Sequence, residues 1–417
     1  MPNRIITNAF GTIKHQSLTS LVIFIGLISF SDAILSYWVP SYLENTFEDP
    51  IIMGLIMSFS SIIGLIMDMY LPQILHNTKT QTLMFASIIC SFLFALILFF
   101  TKLFPLFILF FLAVGIWGIY YELIGFTTNQ YVANHVDHLN RSRIWSLITT
   151  VKSLAYFLGP LIVGFILIED DYYILFISMF LTLCCWGVML FSKWERQKNN
   201  QSVKVNYLPH FNPFQELKHW KTLIKPMWTI IVLSIFLGLI DSIFWTTGAV
   251  WAEKLSEITP FGGMLISVYM LPSLFIGFIL VKIKIANHKK RIAELSFILS
   301  CLTLACIYIT DNILFILAIV FLASTFFSIT IPFIDATFSD LISRMGKQHY
   351  HLIGLTNSTY SLAYIIGPII GGILSAILGA QTTIALIGLI GFVFGIIILI
   401  TTPKKIHLPQ VEIHTWK

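Results

Sequence analysis

The sequence predicts an all-α integral membrane protein with twelve transmembrane helices in two pseudo-symmetric halves of six. Three observations predict this fold: an apolar composition, a series of long apolar stretches and an internal repeat. Hydrophobic residues make up 57% of the 417 residues and charged residues only 11%, and the mean hydropathy is +0.86. A soluble domain carries roughly a quarter charged residues. The composition therefore excludes an ordinary soluble protein.

Twelve apolar stretches are long enough to cross a bilayer. Their approximate limits are 17–43, 51–73, 82–101, 104–133, 143–168, 172–193, 227–252, 262–283, 291–310, 313–341, 351–378 and 381–402. A polar segment separates the sixth from the seventh, which predicts a first half at 1–193, a cytoplasmic linker at 194–226 and a second half at 227–417. In the linker, Asn212 and Pro213 predict the start of a short amphipathic helix on the inner membrane surface.

The basic residues predict the orientation of the chain in the membrane. Of 25 lysines and arginines, all but three fall on the side that the two termini share. The exceptions are Lys102 and Lys254 on the opposite side and Lys152 inside a span. Because basic residues concentrate in cytoplasmic loops, both termini are expected in the cytoplasm, and the protein in the inner or plasma membrane.

The internal repeat is clearest in the octapeptide Ser-Leu-Ala-Tyr-x-x-Gly-Pro, found at 153–160 and again at 361–368. At an offset of 209, Asp32 also matches Asp241 and Glu44 matches Glu253. In each octapeptide the proline removes one helical hydrogen bond, and the glycine lets a neighbouring helix come close. We therefore expect two matched helices that are kinked and closely packed at one point.

The chain resembles a major facilitator superfamily transporter over essentially its whole length. The resemblance rests on an antiporter-like motif in the fifth and eleventh spans and a loop signature after the second. In that loop Met69, Tyr70, Leu71 and Pro72 replace the arginine and second glycine of the signature. The resemblance implies export of a drug or metabolite by a monomer whose first, fourth, seventh and tenth helices line a central cavity. The residues that carry it are Gly159, Pro160, Gly164, Gly367, Pro368, Gly371, Gly372, Gly64 and Asp68.

One carboxylate falls on each of the four helices that the resemblance assigns to the cavity: Asp32, Glu122, Asp241 and Asp335. Ionisable groups inside spans are costly and usually face a cavity or a partner. These four are the proton-coupling candidates, since each could bind and release a proton as the cavity changes its access. The alternative for Asp32 and Asp241 is neutralisation by hydroxyl or backbone groups that serves helix packing alone. Asp335 lies within two turns of the cytoplasmic end of its span, and for it the alternative is an inner-gate or interfacial residue.

Lys152 is the one basic residue deep inside a span, and we expect it to pair with Glu122. Both residues lie at similar depth on the adjacent antiparallel fourth and fifth helices, since an α-helix rises about 1.5 Å per residue. The ion pair either holds these two helices together or is broken by substrate or proton during transport.

Polar and aromatic side chains near the expected cavity are candidates for solute contact, although such residues also fill gaps between helices. They are Ser29, Ser36, Tyr37, Trp117, Tyr121, Asn129, Trp245, Ser328, Asn357, Tyr360 and Tyr364. A cationic solute would favour Asp32 and Asp241, and an anionic one would favour Lys152. The histidine pairs 135/138 and 349/351 lie in predicted cytoplasmic loops, and we expect no metal there.

The sequence carries no nucleotide-binding or metalloprotease motif, so we expect no enzyme activity, no cofactor and no nucleic acid partner. The expected partners are a small organic molecule, protons and the lipid bilayer, with a proton gradient as the energy source. Proton-coupled export is the leading hypothesis. The alternatives are a proton-coupled symporter for a sugar, nucleoside or peptide, and a transporter-like receptor or scaffold that has lost flux.

Overall fold

The structure is a computed structural model. It describes residues 15–75, 78–135, 141–166, 172–191, 213–282, 288–345, 348–403, 406–413 and 416. Within these ranges all regular secondary structure is helical. This agrees with the all-α membrane protein that the composition predicts.

Six long helices form the part of the chain before the linker. They are α1 (His15–Phe47), α2 (Pro50–Ile74), α3 (Thr80–Leu103), α4 (Phe107–His135), α5 (Arg141–Ile166) and α6 (Tyr172–Phe191). Pro40 lies inside α1 and Pro160 inside α5, and both helices continue through their proline. The loss of one backbone hydrogen bond therefore does not break either helix.

The seventh predicted span consists of three successive segments: α7 (Pro213–Ile243), a π-helical segment (Phe244–Gly248) and α8 (Ala249–Ile258). A π-helical turn is rare and appears mostly as an insertion in an α-helix, often at a functional site. The later helices are α9 (Leu265–Lys282), α10 (Lys289–Ala305), α11 (Ile313–Ser343), α12 (His349–Leu378), α13 (Ala380–Thr401) and the short α14 (Gln410–Ile413).

Eleven helices in the described part of the chain are long and apolar enough to cross a membrane. The eighth predicted span, 262–283, does not join this set, because its described apolar helical stretch covers only Gly262–Ile276. The sequence-based number of twelve spans therefore stays a prediction.

The linker prediction needs a correction. A helix begins at Pro213 as the capping pattern predicts, but it runs on through Pro226 as α7. Residues 213–225 are thus the first turns of α7 and not a separate short helix, and their position on the inner membrane surface stays a prediction. Leu223 and Met227, one turn apart on either side of Pro226, are both fully buried, so packing holds the helix together where one hydrogen bond is lost. Residues 192–212 lie outside the described ranges.

The chain forms two compact units. The first comprises Met1–Trp38 and Ile63–Tyr207, and the second comprises Val39–Ile62 and Leu208–Lys417. Each has its own buried aromatic residues, such as Phe24, Phe94 and Phe110 in the first and Phe244 and Phe297 in the second. The end of α1 and the beginning of α2 therefore pack with residues of the second unit.

In the second unit the end of α1 is paired crosswise with α8. Lys254 Nζ lies 2.6 Å from Glu44 Oε1, and Asn45 Nδ2 donates to Glu253 Oε1 at 3.0 Å. Glu44 and Glu253 are equivalent positions of the repeat, as are Asn45 and Lys254. The two contacts are therefore related by the repeat itself.

Candidate functional site

In the first unit, three hydrogen-bond donors surround the carboxyl group of Asp32. Asp32 lies in the middle of α1 and is 2% exposed. Trp117 Nε1 donates to Oδ1 at 2.7 Å, Tyr121 Oη donates to Oδ2 at 3.0 Å, and the Tyr156 hydroxyl also donates to Oδ2. Trp117 and Tyr121 lie one turn apart on the same face of α4, and Tyr156 lies on α5. Such a set of donors suits an ionised carboxylate, which only accepts.

Lys152 lies one turn before Tyr156 on the same face of α5, within electrostatic range of Asp32. Glu122 lies elsewhere: its carboxyl group is within interaction range of that of Asp68, and its Oε1 is 3.1 Å from where a Cβ on Gly64 would stand. No Glu122–Lys152 ion pair forms among the described residues.

The structure thus pairs Glu122 and Lys152 differently from the sequence prediction. On α4, the face that meets Asp32 carries Trp117 and Tyr121. Glu122 follows Tyr121 directly, so its side chain is turned by about 100° around the helix axis, towards α2. Counting residues along each helix predicts how deep the two charged groups lie in the membrane. It does not predict in which direction around the helix axis their side chains point.

In the second unit, Asp241 on α7 is held in the same manner as Asp32. Tyr269 Oη on α9 donates to Oδ1 at 2.7 Å, and the Tyr364 hydroxyl on α12 donates to Oδ2. Tyr269 is fixed in turn by the ring of Phe244 in the π-helical segment, at 4.4 Å between centroids and 10° between planes. Tyr364 is the octapeptide equivalent of Tyr156, so both copies of the repeat contain an Asp–Tyr hydrogen bond.

The glycine of each octapeptide packs against the residue that follows this aspartate. A Cβ on Gly159 would stand 2.7 Å from the Ala33 Cβ, and a Cβ on Gly367 would overlap the Ser242 Oγ. The repeated motif is therefore explained by geometry. Its glycine brings two helices together, and its tyrosine, one turn earlier, reaches the carboxyl group.

Three further residues of the repeated motif lie at helix contacts of α12. A Cβ on Gly371 would stand 2.7 Å from Thr247 Oγ1, and one on Gly372 would overlap the Pro50 carbonyl oxygen. A Cβ on Gly54 would likewise overlap the carbonyl oxygen of Pro368. Gly371 and Gly372 therefore leave no room for side chains between α12 and its neighbours. Gly164 is half-buried near the end of α5.

Asp335 lies on α11 with its side chain exposed, within interaction range of Tyr360 on α12. The Tyr360 hydroxyl is within interaction range of Asp335, Asp241 and Ser234. It is buried, yet it makes no well-formed hydrogen bond with any described residue. Ser234 Oγ instead lies 3.2 Å from Thr359 Oγ1.

The other cavity candidates divide into two groups. Ser36 joins the Asp32 site through its hydroxyl, 3.3 Å from Tyr121 Oη, and Trp245 lies in the π-helical segment beyond Asp241. For the others the described contacts include no hydrogen bond to either aspartate: Ser29 is buried, Ser328 is half-buried, and Asn129 and Asn357 are exposed. Tyr37 is buried in α1. The Asn129 amide donates to the Gly125 carbonyl of its own helix at 3.0 Å.

The sequence did not predict two of the site residues, Tyr156 and Tyr269. A signal for Tyr156 was present, because it occupies the same octapeptide position as Tyr364. For Tyr269 the sequence offered none, since only the packing of α9 against α7 brings it to Asp241. In the described part of the chain no group of three or more His, Cys, Asp or Glu side chains could hold a metal ion.

The fold and the site together define a class of protein: a helical membrane protein built as a repeat, with one tyrosine-bound carboxyl group inside the membrane in each copy. The family model of the Major Facilitator Superfamily matches residues 2–160, 127–349 and 230–415. The chain belongs to this superfamily and is therefore a transporter of small solutes and not an enzyme.

Solved structures agree with this fold over nearly the whole chain. A mutant form of the nucleoside transporter NupG has a TM-score of 0.69 at 15% identity, covering 92% of this chain and 98% of that one. The D-xylose-proton symporter has a TM-score of 0.69 at 13% identity, covering 93% and 98%. The human organic anion transporter MFSD10 (TETRAN) has a TM-score of 0.63 at 14% identity, covering 91% and 99%. A search of curated protein sequences finds no significant match.

Proposed function

We propose that this protein is a proton-coupled secondary transporter that carries a small polar solute together with protons. The observation that carries the proposal is the pair of repeat-equivalent carboxyl groups, Asp32 and Asp241, each bound by the tyrosine of its own octapeptide. Carboxyl groups inside spans are expensive and mark ion and proton pathways. A gradient of protons supplies the energy, without a cofactor.

The donors around Asp32 suggest how the solute is bound. Asp32 occupies the donors of Trp117, Tyr121 and Tyr156. Tyr121 is the reachable member of the set, because its side chain is 37% exposed. Its hydroxyl group can therefore turn to an oxygen or nitrogen acceptor of a solute, while Trp117 and Tyr156 keep Asp32 in place.

The solute class follows from these donors. Hydroxyl and indole donors suit a neutral solute rich in acceptors, and the rings of Trp117 and Tyr121, with centroids 5.5 Å apart, offer an apolar face. A nucleoside or a sugar has both properties. The names of two of the similar structures, a nucleoside transporter and a D-xylose-proton symporter, point to the same class.

Export of a drug or metabolite against protons is the second candidate, favoured by the antiporter-like Gly159-Pro160 and Gly367-Pro368. In the structure both glycines serve close helix packing beside an aspartate, an arrangement that suits either direction. A receptor or scaffold without flux is less favourable, because it would gain nothing from the buried charges of Asp32 and Lys152. We take the transporter to act as a monomer in the inner or plasma membrane, with cytoplasmic termini.

The experiment is proton flux in proteoliposomes that contain a pH-sensitive dye, with uridine, D-xylose and a set of organic anions and cations added outside. For symport, an added solute should acidify the lumen in the wild type, and Asp241→Asn should abolish the signal. The matched control is Asp311→Asn, which removes an exposed carboxyl group in the loop before α11. Alkalinisation of the lumen would instead establish antiport, and solute binding without any flux would establish a receptor.

A further inference from the structure

The two copies of the octapeptide differ at the residue directly before them. Lys152 precedes the first copy and Tyr360 precedes the second, in an otherwise matching register. Both residues lie one turn before the tyrosine that binds the aspartate, on the same helix face. The same position therefore carries an ammonium group in the first unit and a neutral phenol in the second.

In the first unit the residue at this position, Lys152, balances the charge of Asp32. Lys152 lies within electrostatic range of Asp32, which is almost fully buried, and the other groups that face Asp32 are Trp117, Tyr121, Tyr156 and the nearby Tyr120. A buried carboxylate and a half-buried ammonium inside the same span stabilise one another, whereas either one alone would be costly. The Asp32–Lys152 pair can therefore stay ionised throughout transport without binding a net proton.

In the second unit no cation balances the carboxyl group. The titratable groups that face Asp241 are Tyr269 from α9 and Tyr360 and Tyr364 from α12. No lysine or arginine among the described residues joins them. Because a lone charge inside the membrane is costly, Asp241 needs a proton or a cationic solute to become neutral.

We propose that Asp241 alone carries the coupling proton, and that Tyr360 delivers this proton from Asp335. Asp335 is exposed on α11, and the buried Tyr360 hydroxyl lies within range of both carboxyl groups. A buried hydroxyl without a well-formed hydrogen bond is unusual in a folded protein and needs a reason. A relay supplies one, since the hydroxyl must alternate between its two neighbours.

The transfer balances without any other reactant. The O–H bond of the Asp335 carboxyl group breaks as its proton moves to the Tyr360 oxygen, and the phenolic O–H bond breaks as its proton moves to the Asp241 carboxylate. Tyr360 is neutral before and after, Asp335 is left ionised, and Asp241 is left protonated. Asp335 then takes a new proton from the solution.

The test uses the full-length protein in lipid vesicles and needs no solute. Infrared difference spectra between two pH values record the carboxylic C=O stretching band, which marks a carboxyl group that changes protonation. We expect one component of this band to be lost in Asp241→Asn and to be retained in Asp335→Asn and in the double variant Asp32→Asn, Lys152→Met. In Tyr360→Phe the band should keep its amplitude, but proton uptake after a rapid pH change should be slower, on the order of a hundredfold.

Survival of every component of the band in Asp241→Asn, or loss of the same component in the double variant, would overturn the assignment of the proton to Asp241. An unchanged uptake rate in Tyr360→Phe would overturn the relay. If Asp241→Asn does not fold, Asp241→Glu decides, because one component of the band must then appear at a shifted frequency, and a band without any shifted component overturns the assignment. The inference rests on the proposed function, which the flux assay tests separately. If these infrared results were obtained and the flux assay showed no signal, only the transport proposal would be overturned.

Discussion

At the scale of single residues, the two aspartates differ in how many donors hold them. Among the described residues, Asp32 has three donors and a nearby lysine, while Asp241 has two donors. A hydrogen bond to a charged group contributes about 1.5–3 kcal/mol to stability. The loss of one donor should therefore matter more at Asp241.

We predict that Tyr364→Phe lowers the unfolding temperature of the purified protein more than Tyr156→Phe does. Tyr364→Phe leaves Asp241 with Tyr269 alone, whereas Tyr156→Phe leaves Asp32 with two donors and Lys152. Thermal unfolding of the protein in detergent measures this difference. Tyr308→Phe is the control, because Tyr308 is 69% exposed and should leave the temperature unchanged. Equal effects, or the reverse order, would contradict the prediction.

The sequence could identify the aspartates because a charge inside a long apolar stretch is rare and conspicuous. It could not identify Tyr269, because tyrosines are common in spans and only the approach of α9 selects this one. The sequence also could not identify the partner of Lys152. Counting residues from a helix end gives depth in the membrane, but the direction of a side chain depends on how the helices are rotated against each other.

At the scale of helices, the octapeptide sets a close contact between α5 and α1 and between α12 and α7. Apolar runs were enough to predict that these helices exist. They were not enough to predict the π-helical segment or the passage of α7 through Pro226. Both depend on packing around the helix, which offsets a local loss of backbone hydrogen bonding.

We predict that Gly159→Ala and Gly367→Ala each destabilise the protein, by about 1–3 kcal/mol, because an added methyl group has no room between the helices. The new Cβ would press on Ala33 or Ser242 and push the tyrosine away from its aspartate. The matched control is Gly187→Ala on α6, where nothing lies within 4 Å of the added Cβ. There alanine should be neutral or stabilising, since it favours a helix by up to about 1 kcal/mol.

Thermal unfolding of the three glycine variants, side by side with the wild type, measures the effect. If Gly159→Ala and Gly187→Ala behaved alike, the close approach of α5 to α1 would not be the reason for the octapeptide glycine.

At the scale of the whole molecule, the repeat predicted two similar parts, and the structure has two compact units. The units do not divide the chain at the linker alone, because residues 39–62 pack with the second one. Within the second unit, residues 39–62 are held by the contacts of Glu44 with Lys254 and of Gly54 with Pro368. These contacts join positions that are far apart in the sequence. Hydrophobicity and spacing do not encode such contacts, so a division by composition could not find them.

The topology of the molecule depends on whether α9 crosses the membrane, and we predict that it does. Its 18 residues span about 27 Å, close to the hydrocarbon core of about 30 Å. With α9 included, the number of spans is even and both termini lie in the cytoplasm, as the basic residues predict. Without it, the two ends of the chain would lie on opposite sides.

Fusions in a bacterial host measure the topology directly. Green fluorescent protein at the C-terminus should fluoresce, as it does when it folds in the cytoplasm. Alkaline phosphatase is active only on the outer side of the membrane. It should therefore be active when fused after Phe261 and inactive when fused after His288, the residues that flank α9. The same phosphatase after Leu106, in the loop between α3 and α4, is the control and should be active. Equal activity after Phe261 and His288 would mean that α9 does not cross, and the orientation of α10 to α13 would then have to be reversed.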